Sequence, residues 1–392
     1  MTGVRQDESH ARNQRIAARG EVADALWTNE AGHLRASPIL DWSTDDVWEY
    51  IGEAAARARP SYSDFQETMR IYRDGGGSSC VVVADMRSDS HRAPCGVRTG
   101  CWACTRVRND RSMENMLESD PQRYGYLQPL AKLRNFISNT QYDWSRRQFV
   151  GRSIDEHGNI AIGADGYNPD MLQALLRYSL SAQVASGVEF VSLQALIAID
   201  ARWSMYGLFP PFTALKIARD IEQGRLEFAP DVPQTPKTPT PKLGHIHVGS
   251  DWYDATGLNS TVGLRDPMLE LFHESCGVKL RSLANGALVA DYEFDRQVTV
   301  DAEGAGLFLD FEADRHIDRY CRDDCEDWTL GYKIYLRYGT IQLAKGNTAS
   351  SDAILRRTQW RQAHQLHGQR SVQELEARQD MVRGGQGSIL LD

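Results

Sequence analysis

Residues 38–51 read Pro38-Ile39-Leu40-Asp41-Trp42-Ser43-Thr44-Asp45-Asp46-Val47-Trp48-Glu49-Tyr50-Ile51, and the order of residue types dictates a helix with a defined start. Ser43 and Thr44 carry hydroxyls that accept hydrogen bonds from the open amides of a helix N-terminus, and Asp45 and Asp46 place negative charge in the first turn. Val47, Trp48 and Ile51 then supply an apolar stripe at helical spacing. The helix starts at Ser43 or Thr44, and the first task of Asp41 and Trp42 is to cap and pack that corner.

Beyond this point the pattern stays mostly helical. Helices are expected over 171–185, with Leu172, Leu175, Leu176 and Leu180 on one face, over 193–205, and from Pro210-Pro211 to near Gly224. Strand signals are short: Val81-Val82-Val83, Val298 to Val300 and Leu307 to Phe311. The fold class is therefore α+β, mainly helical.

With 392 residues, of which 41% are hydrophobic, the chain can bury two ordinary cores. Pro230, Pro233, Pro236, Pro239 and Pro241 alternate with Thr, Gln and Lys, which suits neither helix nor central strand. Residues 230–243 are expected to be an extended linker between a domain at 1–229 and a smaller α+β domain at 244–347. Residues 348–392, polar and ending Gly384-Gly385-Gln386-Gly387, are expected to be an exposed helix fraying into a tail. No apolar run reaches membrane-spanning length and the start lacks a secretion signal, so a soluble, cytoplasmic protein is expected. A net charge of -9 excludes bulk electrostatic coating of nucleic acid, and any such contact must be local.

Four of the seven cysteines fall within 80–104. Cys95-Gly-Val-Arg-Thr-Gly-Cys101-Trp-Ala-Cys104 has Gly96 and Gly100 to let the backbone wrap around one centre, and Cys80 supplies a fourth thiol. Four thiolates suit a tetrahedral zinc or an iron-sulfur cluster. The looser spacing, with one short pair rather than two, and the flanking Arg87, Arg92, Arg98, Arg106, Arg108 and Arg111 against Asp89 and Asp110, tilt the choice towards a cluster. Trp102 suits shielding such a centre, or plain core packing.

Two stretches resemble the phosphoadenosine phosphosulfate reductase family. Gly3-Val4-Arg5-Gln6-Asp7-Glu8-Ser9-His10-Ala11-Arg12 is similar to its G-x-R-x-x-E-S-x-x-R segment, and 38–51 to its P-I-x-D-W-s-x-x-D-V-W-x-Y-I segment. Within that family, Cys95-Gly-x-Arg98-x-Gly100-Cys101-Trp102-x-Cys104-Thr105 followed by Asp110-Arg111-Ser112-Met113-Glu114 resembles the DndC-type sulfurtransferases of DNA phosphorothioation. The likeness runs to about residue 225. It implies a 4Fe-4S cluster on Cys80, Cys95, Cys101 and Cys104, and an adenine-nucleotide α/β hydrolase-like fold of which this chain carries the later part. ATP with Mg2+ would activate a DNA backbone phosphate, a cysteine desulfurase would deliver sulfur, and other DNA-modification subunits would attend.

Arg5, Glu8, Ser9 and Arg12 are the implied nucleotide or phosphate residues. Arg5 and Arg12 would share one face if 3–12 is helical, although a solvated helix face accounts for them as well. The family's S-G-G-x-D-S loop, whose amides hold pyrophosphate, does not occur in this sequence. Preceding sequence or a partner chain is expected to supply it, and the chain alone is not expected to hydrolyse ATP.

Two rival functions follow from the same residues. One is a phosphoadenosine phosphosulfate or adenylylsulfate reductase of sulfate assimilation, which needs a nucleophilic cysteine near the C-terminus, whereas the last cysteine is Cys325. The other is a non-catalytic, zinc-braced DNA-binding or scaffold remnant. Cys321 and Cys325 with His316, and His245 with His247, read as packed side chains rather than a second metal site. Tyr142, Trp144, Arg146, Arg147, Phe149 and Arg152 interleave aromatic and basic groups that suit either nucleic acid or an ordinary surface.

Overall fold

The computed structural model describes residues 1–6, 10–28, 32–76, 102–105, 109–252, 280–282, 288–290, 298–344 and 347–384. The chain forms two compact units, one of residues 1–100 and 111–121, the other of 101–110 and 122–392.

In the first unit, α1 (His10–Arg19) leads to a short antiparallel pair, β1 (Trp27–Thr28) and β2 (Leu34–Arg35), and then to α2 (Thr44–Ala55), α3 (Gln66–Gly76) and α4 (Arg111–Ser119). The start of α2 falls where the side chains demand it. The Ser43 hydroxyl accepts from the Asp46 amide at 3.1 Å, and the Asp46 carboxylate accepts from the Ser43 amide at 2.7 Å. This reciprocal cap satisfies two open donors and holds the Asp46 carboxyl below its ordinary value through its bonds from Ser43. Ile51 and Ala54 turn inward, while Trp48 stands edge-on to Tyr72, with ring centres 5.1 Å apart.

The second unit begins with α5 (Pro121–Tyr124), which spans the boundary, and α6 (Gln128–Asn139). An antiparallel sheet of order β3-β4-β5 follows, from β3 (Arg147–Ile154), β4 (Asn159–Tyr167) and β5 (Lys242–His247). Val150 pairs with Ile162, and Ile160 with Ile246, so one face is apolar. Helices α7 (Pro169–Ser186) and α8 (Leu193–Met205) match the expected spans, capped by Asn168 and Ser192. Helix α9 (Thr213–Glu222) starts after Pro210-Pro211 rather than on them. Phe212 between them is left-handed (φ 64°), and this turn aims the Ala214 amide at Asp200.

The remaining elements are the pairs β6 (Leu280–Ser282) with β7 (Leu288–Ala290) and β8 (Val298–Val300) with β9 (Ile341–Leu343), and α10 (Ala302–Phe311), α11 (Ala313–Tyr320), α12 (Leu330–Arg337), α13 (Thr348–Ala363) and α14 (Val372–Arg383). Residues 307–311, expected as strand, are the last turns of α10. Asp301 caps its start by accepting from the Gly304 amide at 2.7 Å, and Phe308 is the member of the run that turns into the core.

The Pro-rich stretch at 230–241 has neither helix nor strand, and two cores run across it. Leu176, Ile197, Phe212 and Ile217 pack in one cluster with Phe308, Tyr335 and Leu355, and Val150, Ile160 and Ile162 in another with Ile246, Trp360 and Leu375. The stretch itself is tied to α6 and its exit. Thr235 N donates to Asn139 O (2.8 Å), Asn139 Nδ2 to Val232 O (2.9 Å) and Trp144 Nε1 to Thr238 Oγ1 (2.8 Å). Residues 244–347, expected as a separate domain, therefore belong to the same unit as 122–229. Helix α13, expected to be exposed, buries Leu355 and Trp360.

Candidate functional site

The two motif stretches meet at the start of α2. Thr2 N donates to Ala36 O (2.8 Å) and Gln6 N to Leu40 O (2.9 Å), so residues 2–6 run beside 36–40 over a fully buried Leu40. The Thr2 and Ser37 hydroxyls are bonded at 2.8 Å, and Trp27 Nε1 donates to Ser37 Oγ at 3.3 Å. This pairing brings Arg5 Nη1 to 3.2 Å from Thr44 Oγ1, and Gln6 Nε2 to 3.2 Å from Asp41 Oδ1. Asp41, read as a capping residue, thus also anchors the first motif.

Residues 3–12 are not one helix. The first five residues lack regular structure and α1 begins at His10, so Arg5 and Arg12 do not share a helical face. Arg5 is placed by the edge of residues 36–44 and Arg12 by α1. Glu8 and Ser9 lie outside the described residues.

Of the four expected metal ligands, Cys104 is described and Cys80, Cys95 and Cys101 lie outside the described residues, as do Val81-Val82-Val83 and Cys276. Two supports of the cysteine segment are visible. Asn115 Nδ2 of α4 donates to Gly75 O near the end of α3 at 2.9 Å, so the chain leaves for residues 77–110 and returns from them at one place. Met113, from the motif that follows the cysteines, is buried at that return.

Within the second unit, Arg134 on α6 is 1% exposed and donates through Nε and Nη2 to the Cys104 carbonyl, both at 3.3 Å, and through Nη1 to Asn135 Oδ1 at 3.0 Å. A buried guanidinium gripping one carbonyl at two points fixes the backbone of a half-buried free cysteine and places positive charge beside it. Trp102 stands edge-on to Phe190 at 5.0 Å and packs against the cluster of Leu130, Leu133 and Phe136. Sequence reasoning passed over Arg134. The available signal was its place between Leu130, Leu133 and Phe136 on the apolar face of α6.

Cys104 is the one described member of the four expected ligands, and with Trp102 two residues before it and the Arg134 guanidinium on its carbonyl its surroundings are chemically compatible with a thiolate-held iron-sulfur cluster. Among the described residues, Cys321 and Cys325 are engaged within the fold. Cys321 Sγ lies 3.6 Å from Thr213 Oγ1 and Cys325 Sγ donates to Asp327 O at 3.5 Å, and burial pushes both thiols up. His316 is stacked between Phe308 and Tyr320, and burial pushes its imidazole down. Among the described residues no group of three or more His, Cys, Asp or Glu could hold a metal ion, and no helix is long and apolar enough to cross a membrane.

The aromatic and basic stretch from Tyr142 to Arg152 is largely engaged within the fold. Arg146 pairs with Asp143 at 2.9 Å, Arg147 stacks 4.1 Å over Tyr167, and Arg152 lies 5.9 Å over Tyr206.

No curated protein and no solved structure matches the chain. A family model does: the phosphoadenosine phosphosulfate reductase domain, over residues 1–107. The match takes in both stretches that meet at α2 and all four clustered cysteines. Over those residues the chain is similar to a domain of sulfur-related, nucleotide-utilising chemistry.

Proposed function

We propose that this chain is the iron-sulfur sulfurtransferase component of DNA phosphorothioate modification, in which ATP activates a backbone phosphate and sulfur replaces one of its oxygens. The observation that carries the reading is the coincidence, inside the matched residues 1–107, of the joined Arg5 and Asp41 stretches with four cysteines in one arginine-rich segment. Cys80, Cys95, Cys101 and Cys104 would hold a 4Fe-4S cluster, which would supply thiolate-ligated iron for sulfur or electron transfer. Arg134 keeps Cys104 in place, and Arg5, Glu8, Ser9 and Arg12 would be the phosphate-binding residues that the family resemblance implies. The partners of this reading are DNA, a cysteine desulfurase, the other modification subunits and a source of the pyrophosphate-holding loop.

The reductase reading requires a reactive thiol towards the C-terminus. Cys321 and Cys325 are poor nucleophiles, since burial disfavours the thiolate in both. That observation favours the transferase.

Reconstitution decides between the readings. The chain, a partner or upstream extension bearing the loop, a cysteine desulfurase, ATP and duplex DNA are expected to release pyrophosphate and yield nuclease-resistant phosphorothioate linkages, and Arg12→Ala reduces both. Sulfite release from phosphoadenosine phosphosulfate without DNA sulfur would establish the reductase. Neither product from iron-loaded protein would leave a binding role.

A further inference from the structure

A cleft of about 440 Å³ opens in the second unit between the start of β3 and the residues that lead into α14. Arg147, Gln148 and Asn168 line one side and Arg370, Val372 and Gln373 the other. It lies outside residues 1–107, which match the reductase-domain model, and no step proposed above uses it.

The polar groups around this cleft are short of partners. Gln148 is 9% exposed, lines the cleft and makes no side-chain hydrogen bond to any described residue, and its carboxamide is open to solvent. Arg147 spends Nη2 on Gln141 O at 2.9 Å and lays its guanidinium 4.1 Å over Tyr167, while its buried Nε has no partner. Arg370 has one weak ionic contact, with Glu374 at 3.6 Å, and its Nε is also buried and unpartnered.

Glu374 is the carboxylate in contact here, and it is already engaged. Its Oε2 accepts from Ser371 N at 2.6 Å, and Ser371 Oγ accepts from Glu374 N at 3.3 Å. That cap leaves the amides of Val372 and Gln373, the first two of a 12-residue helix, directed out of the helix start. Behind Arg370 sits Arg361, 2% exposed, whose guanidinium bonds the carbonyls of Leu366 and Arg152 and no carboxylate. Burial, and then the charge of Arg370, push Arg361 down to about 10, as expected where positive charge lacks a counterion.

We propose that this cleft binds a phosphate group, received by Arg147 and Arg370, the Gln148 carboxamide and the first amides of α14. A tetrahedral oxyanion presents acceptors in several directions at once and so suits donors arriving from both sides of a cleft, where a carboxylate presents its acceptors in one plane. The volume exceeds one phosphate and accommodates a nucleotide or a short length of nucleic-acid backbone. The proposal is independent of the sulfur chemistry above.

The test is calorimetric titration of the full-length protein with inorganic phosphate at low salt, followed by competition with AMP and with a short DNA duplex. Wild type is expected to bind phosphate and to lose binding as salt rises. Arg370→Gln, whose lost contacts are few, and Gln148→Leu are each expected to weaken binding at least tenfold, and Arg322→Gln, an exposed residue paired with Asp324 that does not line the cleft, to leave it unchanged. Displacement by AMP alone identifies a nucleotide as the source, and displacement by the duplex identifies a nucleic-acid backbone. No phosphate binding by wild type, or wild-type binding by both Arg370→Gln and Gln148→Leu, overturns the proposal. Loss of binding in Arg322→Gln but not in Arg370→Gln places the phosphate elsewhere and overturns it as well.

Discussion

Residues 1–121 carry every motif with recognisable chemistry and, where described, bury few apolar side chains, whereas residues 122–392 carry no such motif and, among the described residues, hold three apolar clusters. Among the described residues of the first unit the buried apolar side chains are Ile16, Leu40, Ile51, Ala54 and Met113. The rest is held by the Thr2–Ser37 and Gln6–Asp41 bonds, the Ser43–Asp46 cap and edge-on aromatic pairs. The second unit packs whole helices around Ile197, Phe212 and Tyr335, and seats the charged groups Asp200, Arg134 and Arg361 inside. Among the described residues, Arg5 and Asp41 are thus placed by individual hydrogen bonds, while most of the burial that stabilises a fold is elsewhere in the chain. Residues 298–384 have a structural function in this scheme, since they complete cores begun before residue 222.

The contrast fails most visibly if the late helices prove dispensable. Trp360 is 1% exposed, stands edge-on to Trp252 at 5.5 Å and donates to Asp251 Oδ1 at 2.8 Å. Trp360→Ala is expected to cost about 3–5 kcal/mol in urea unfolding. A loss under about 1 kcal/mol would show that α13 is peripheral.

Next in size is a pH effect confined to the second unit. Asp200 is 1% exposed and accepts from Ala214 N (2.7 Å) and Tyr335 Oη (2.9 Å). Burial outweighs these bonds and pushes its carboxyl up to about 6, from an ordinary value of 3.8. The folded state therefore holds this proton more tightly than the unfolded state. The stabilisation is complete below pH 3.8 and is lost as pH rises through about 6, on the order of 3 kcal/mol in all. Asp200→Asn is expected to flatten that part of the stability profile between about pH 4 and pH 6, and an unchanged slope in the variant would assign the dependence to other groups.

Arg134 sharpens the comparison, because it is a core residue whose bonds end on Cys104. Arg134→Met is expected to cost about 1–3 kcal/mol by leaving the carbonyl unsatisfied, and to speed iron loss to a chelator, with Arg134→Lys intermediate. Equal chelation rates in all three proteins would reduce Arg134 to a packing residue. The smallest effect belongs to the first unit: Ser43→Ala removes a cap worth about 1 kcal/mol, measured as reduced protection of the first-turn amides of α2 to hydrogen exchange. Full protection in the variant would mean that packing, not capping, sets that helix start.

What was legible in the sequence is what neighbouring residues decide. Helices α7 and α8 follow from apolar spacing and from Asn168 and Ser192, and the start of α2 from Ser43 and Asp46. Leu307 to Phe311 misled because a short apolar run has no period of its own, and the Asp301 cap six residues earlier settles it as helix. The five prolines lie in a stretch, 230–241, that has neither helix nor strand. They could not announce that β5 pairs with β4 or that Asn139 and Trp144 hold the stretch down. Nor could local pattern reveal that Arg5 reaches Thr44, or that Arg134 reaches Cys104, since both contacts span 30 residues or more.

The central claim is that the cysteines of the motif-bearing segment bind iron and sulfide. Protein purified without oxygen is expected to be brown, with a broad absorption near about 400 nm and four irons and four sulfides per chain. Cys101→Ser should remove the colour and Cys276→Ser retain it. Colourless protein with stoichiometric zinc and no iron, or loss of colour in Cys276→Ser equal to that in Cys101→Ser, would contradict the account.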